Sequence, residues 1–94
     1  MEKYLVVIEK AGKNYSAFSP DVAGCAATGG TVEETTQQMK EALQFHIESL
    51  SDTGDNPPQP KGISGHIADG VFKIGEISEE YYITEIEISI PYHA

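Results

Sequence analysis

The sequence predicts an α+β domain, an antiparallel sheet of three or four strands with one long helix packed on it. Three observations lead there. Apolar alternation appears near both ends of the chain, at residues 4–8 and 83–90. A three-to-four-residue apolar stripe runs from Val32 to Leu50, and compact turn signals separate the early segments.

In residues 4–8, Tyr4, Val6 and Ile8 alternate with Leu5 and Val7, so both faces of the first strand are apolar. Such a strand belongs inside the sheet, covered by a helix on one side and by a second element on the other. That second cover is either a dimer mate or a folded-back tail. Residues 11–14 (AGKN) supply the Gly and Asn of a tight hairpin return. Tyr15, Ala17 and Ser19 then alternate with Ser16 and Phe18 until Pro20 stops the strand and Asp21 closes an exposed turn. After Gly24, residues 25–28 form a short third strand that ends at Gly29 and Gly30.

Thr31 caps the long helix, with Glu34 placed three residues on to complete a capping box. Glu33 and Glu34 also sit at the positive end of the helix dipole. Val32, Met39, Leu43, Ile47 and Leu50 make the buried stripe, with the helix ending near Ser51 and Gly54 as its left-handed stop. Residues 56–60 (NPPQP) form a stiff extended connector. Val71, Phe72 and Ile74 suggest a short strand. In residues 83–90, Ile86, Ile88 and Ile90 share one face while Glu85, Glu87 and Ser89 share an acidic outer one.

Composition narrows the function classes. Fifteen acidic residues against six lysines and no arginine give a formal charge of −9. The lysines, at 3, 10, 13, 40, 61 and 73, form no patch. Direct nucleic-acid binding is therefore not expected, since phosphate contacts need clustered Lys or Arg. An acidic surface steers toward a basic protein partner instead. The single Cys25 rules out an internal disulfide and reads as a small buried hydrophobe. The longest apolar run is too short to span a membrane, and no signal segment opens the chain, so cytoplasm is the expected compartment and no membrane partner is expected. His46 lies at the edge of the helix stripe, while His66 and His93 stand isolated. The sequence calls for no metal and no cofactor, and it carries no catalytic motif.

Residues 15–34 carry the most specific pattern. Tyr15, Ala17, Pro20, Asp21, Gly24, Cys25, Gly29, Thr31, Glu33 and Glu34 together resemble the HicB-like antitoxin family over about the first 60 residues. Val22–Ala23 stand where that family commonly has Leu-Pro, and Thr35 where it commonly has Ala. The resemblance implies a single domain over 1–94, with a core at 1–55, a Pro-rich connector at 56–60 and a C-terminal strand region at 61–94. Its element order would be β-β-β-α-β, a partial ribonuclease-H-like fold without catalysis. Residues 61–94 hold no second helical domain, so the expected form is a short one lacking the family's C-terminal DNA-binding domain.

The resemblance also implies function. The chain would be a non-catalytic binding module forming a homodimer or homotetramer. Its partner would be a small, basic, mRNA-cleaving HicA-type toxin whose active histidine it covers. The expected partner-binding residues are Asp21, Glu85, Glu87, Tyr81 and Tyr82. The alternative is an orphan homo-oligomer, structural or regulatory, that has no toxin.

Overall fold

The structure is a computed structural model that describes residues 2–68 and 80–89. Strands β1 (Glu2–Ala11), β2 (Asn14–Ser19) and β3 (Val22–Gly29) follow one another. Helices α1 (Val32–Asp52) and α2 (Gly62–Ala68) come next, and β4 (Tyr81–Ile88) closes the described order. The four strands form one antiparallel sheet in the order β3-β2-β1-β4. This α+β architecture is the expected one, with α2 added. The strand suggested by Val71, Phe72 and Ile74 lies outside the described residues, as do Ile90 and His93.

β1 is central and apolar on both faces. Tyr4, Val6 and Ile8 join Ala17, Val22, Cys25, Ile86 and Ile88 beneath Met39, Leu43 and Ile47 of α1. Full burial of each such Leu, Ile or Val side chain contributes roughly 1.5–3 kcal/mol. Leu5 and Val7 are equally buried on the second face. There α2 folds back, with Ile63 beside Leu5 and Ile83. Of the two covers expected for this face, the structure supplies the folded-back segment.

The chain reaches that second face through the proline connector. Pro57 is buried, and Tyr4, on the α1 face, donates its hydroxyl to the Pro58 carbonyl at 2.8 Å. By Ile63 the backbone is already on the opposite face, so residues 58–63 carry it around the sheet margin.

Thr31 caps α1 with an extended backbone and accepts the Glu34 N–H at 3.0 Å, an arrangement that contributes about 1 kcal/mol. The helix stops at Thr53, followed by Gly54 at φ 82°. At the far side of the sheet, Gln44 grips the residue after β4. Ser89 donates its N–H to Gln44 Oε1 at 3.3 Å, and Gln44 Nε2 donates to the Ser89 carbonyl at 3.1 Å.

Candidate functional site

The β2–β3 turn is built around a gap in the sheet. The β2–β3 pairing shifts register between Phe18 and Ser19, and Ser19 is the last residue of β2. The backbone groups of Leu5 that face this side would be orphaned without a strand, at a cost of about 1–3 kcal/mol each. Two side chains replace the missing ladder. Ser19 Oγ donates to the Leu5 carbonyl at 2.8 Å, and Asp21 Oδ2 accepts the Leu5 N–H at 2.9 Å.

The other Asp21 oxygen holds the returning chain. Asp21 Oδ1 accepts the Lys61 N–H at 2.9 Å and lies 2.5 Å from His66 Nε2 on α2. A carboxylate oxygen at this position requires the proton on His66 Nε2. The Asp21 side chain is only 1% exposed and that of His66 4%. Burial pushes the Asp21 carboxyl up, but the Lys61 and Leu5 N–H groups, then the His66 bond and charge, outweigh it. The net result is a carboxyl held below the ordinary aspartate value.

This corrects two expectations. The Asp21 turn is not an exposed carboxylate: its charge faces inward, and a direct partner contact would have to break three hydrogen bonds. His66 is not isolated but buried against that carboxylate. Cys25, facing α1, is buried as expected, and burial pushes its thiol up.

The exposed candidate residues gather elsewhere. The β1–β4 register pairs Lys3 with Glu87, Leu5 with Glu85, Val7 with Ile83 and Glu9 with Tyr81. Alternation therefore puts Tyr81, Ile83, Glu85 and Glu87 together on the second face, beside α2. A groove of about 500 Å³ runs there, with Leu5, Ile63 and Ile83 in its lining and Lys3, Glu85 and Glu87 along it. Ile67, one turn beyond Ile63 on α2, is 59% exposed, and Tyr81 is also exposed. The result is an apolar patch with an acidic rim, the composition of a protein-binding surface.

Tyr82 does not belong to this group. It pairs with Ile8 and so faces the α1 side, tilted against Tyr15 with ring centroids 6.4 Å apart. Sequence reasoning missed Ile63 and Ile67 because α2 was not foreseen. Their four-residue spacing was the available signal.

Among the described residues, no group of three or more His, Cys, Asp or Glu could hold a metal ion. No described helix is long and apolar enough to cross a membrane.

The model of the HicB-like antitoxins of bacterial toxin–antitoxin systems matches residues 4–90. This chain belongs to the HicB-like antitoxin family. Among its relatives is a 14.9 kDa protein of the rep–hol intergenic region of Haemophilus phage HP1, 29% identical over 87 residues. That match takes in 93% of this chain but only 61% of the phage protein. A solved HicA3 and HicB3 toxin–antitoxin complex contains a chain 27% identical, with a TM-score of 0.70, covering 93% of this HicB-like chain and 98% of that one. The N-terminal domain of antitoxin HicB from Burkholderia pseudomallei superposes with a TM-score of 0.75 over 94% of this chain and 99% of that one. At 16% identity, that likeness establishes the shared fold. HicB-like membership thus accounts for the β-β-β-α order and for the strand that closes the sheet beside β1.

Proposed function

We propose that this chain is a non-catalytic antitoxin that neutralises a small basic mRNA-cleaving toxin of the HicA type. It binds through the second face of β4 and covers the toxin's active site. The observation that carries this reading is the patch itself: Tyr81, Ile83, Ile63 and Ile67 exposed together beside Glu85 and Glu87. Apolar side chains supply the binding energy, while the carboxylates and the −9 charge steer a cationic RNA-binding surface toward it. The presence of a related chain in a HicA3 and HicB3 toxin–antitoxin complex supports a toxin partner of that class.

The test is inhibition of RNA cleavage by a purified HicA-type toxin, compared between the native chain and Glu85→Lys/Glu87→Lys. Both residues are exposed, so the double variant keeps the fold. The reading expects inhibition to weaken by about tenfold or more, most strongly at low salt. Equal inhibition by both proteins would move the toxin site off this face, and no inhibition by the native chain would remove the toxin.

A further inference from the structure

One oxygen of Asp21 spans a hinge. Asp21 Oδ1 accepts the Lys61 N–H at 2.9 Å and meets His66 Nε2 at 2.5 Å. Between these two donors lies Gly62 at φ 76°, a left-handed conformation that glycine adopts freely and other residues do not. Lys61 ends the connector, whereas His66 belongs to α2. A single carboxylate oxygen therefore grips the chain on either side of a pivot.

The two sides are held very differently. On the connector side Pro57 is buried, Tyr4 bonds the Pro58 carbonyl, and prolines at 57, 58 and 60 stiffen the backbone. On the other side, His66 is the only buried residue of α2. Ile63 and Ile67 remain 43% and 59% exposed, so apolar burial holds the helix only in part. Seven residues with two glycines do not persist as a helix unaided. The docking of α2 is thus concentrated in one polar contact.

The apolar patch depends on that docking. The β1–β4 ladder fixes Ile83 opposite Val7 whatever α2 does. Ile63 stands beside Leu5 and Ile83 only while α2 lies on the sheet, and Ile67 follows it one turn on. Asp21 and His66, with side chains 1% and 4% exposed, are themselves closed to a partner.

We propose that α2 is a hinged lid, pinned across Gly62 by the Asp21–His66 contact, and that its closed state is the one that presents Ile63 and Ile67 beside Ile83. In the open state α2 swings about Gly62, carries both isoleucines away and uncovers Leu5, while the sheet and α1 keep their packing. Asp21 and His66 are positioning residues: they set how often the patch is assembled and make none of its contacts. A partner that binds the assembled patch binds the closed state alone, and by linkage it holds the lid shut. The lid stands on the geometry of the fold, and its coupling to a toxin rests on the reading proposed above.

The test is amide hydrogen exchange of the full chain, followed residue by residue by NMR at several low urea concentrations. Local opening exposes little surface, so the α2 amides are expected to exchange through a frequent opening that urea hardly changes. The β1 amides should exchange through a rarer, strongly urea-dependent one. His66→Leu removes the donor and is expected to raise α2 opening about tenfold or more. His66→Gln restores an amide donor and should recover most of the protection. Saturating HicA-type toxin is expected to slow α2 exchange by tenfold or more. Exchange of α2 that matches β1 in rate and urea dependence overturns the lid, and this readout needs no variant. So does α2 opening that His66→Leu leaves unchanged. Unslowed α2 exchange in the toxin-bound chain overturns the coupling to the patch. A native chain that binds no toxin sinks the toxin reading instead, and the free-chain exchange still decides the lid.

Discussion

The carboxylate of Asp21 and the imidazole of His66, 45 residues apart in sequence, meet at 2.5 Å with both side chains buried. This pair, together with the Lys61 and Leu5 N–H groups on the same carboxylate, ties the returning connector to the central strand. Removing Asp21 strips three groups of an acceptor or counter-charge, whereas removing His66 leaves the carboxylate two backbone donors. Asp21→Ala is expected to cost about 3–5 kcal/mol and His66→Ala about 1–3 kcal/mol in urea denaturation. The double variant should cost less than the sum, because the two share one interaction. Strict additivity would mean the pair is not formed in solution.

The same carboxylate sets an acid limit. Its folded pKa lies below the ordinary value of 3.8, so the unfolded chain binds the proton more readily. The stability it contributes is fully present above that value and is lost as pH falls through the folded pKa. Urea denaturation of the native chain and Asp21→Asn across an acid pH series checks the sign. The stability gap between them should shrink as pH falls below about pH 4. A gap that widens toward acid would contradict the inferred direction.

Gly29 is a close approach of β3 to α1. A Cβ added there would lie 2.6 Å from Thr35 Oγ1 and 2.8 Å from the Thr35 backbone nitrogen. The backbone of the first helical turn cannot yield as a flexible side chain would. Gly29→Ala is expected to destabilise by about 1–3 kcal/mol, read as a lower urea midpoint with unchanged slope.

Cys25 offers a probe of the same core. Its thiol is buried beneath α1 and raised by that burial, so reaction with a soluble disulfide reagent at neutral pH should be slow. Denaturant should release it in step with global unfolding. Rapid labelling of the native chain would show that the β3 side of the core opens locally.

Much of this architecture was legible from local pattern. The two-sided apolar run of β1, the Thr31 cap and the Met39–Leu43–Ile47 stripe each act through near neighbours. β4 was legible too, but it starts two residues before the predicted 83. Carrying its alternation back to Tyr82 puts that ring on the isoleucine face, away from Tyr81. What the pattern hid depends on distant chain. α2 (GISGHIA) contains two glycines, poor helix formers, and is held by packing and by His66. Asp21 reads locally as a solvated turn residue, because nothing near it reveals the unpaired N–H of Leu5 that it must satisfy.

The grip of Gln44 on Ser89 has a bearing on how the last strand finds its place. β1 and β2 are aligned by a two-residue turn, but β4 reaches β1 only after a connection that begins at the end of α1. Sliding β4 by two residues would keep the Ile86 and Ile88 positions on the α1 face, so the face alternation alone does not choose between these alignments. An amide that accepts from one backbone N–H and donates to the same residue's carbonyl can choose. It acts as an index mark on the helix, read once by the strand, and it thereby decides which side chains stand beside Lys3 and Leu5 on the outer surface.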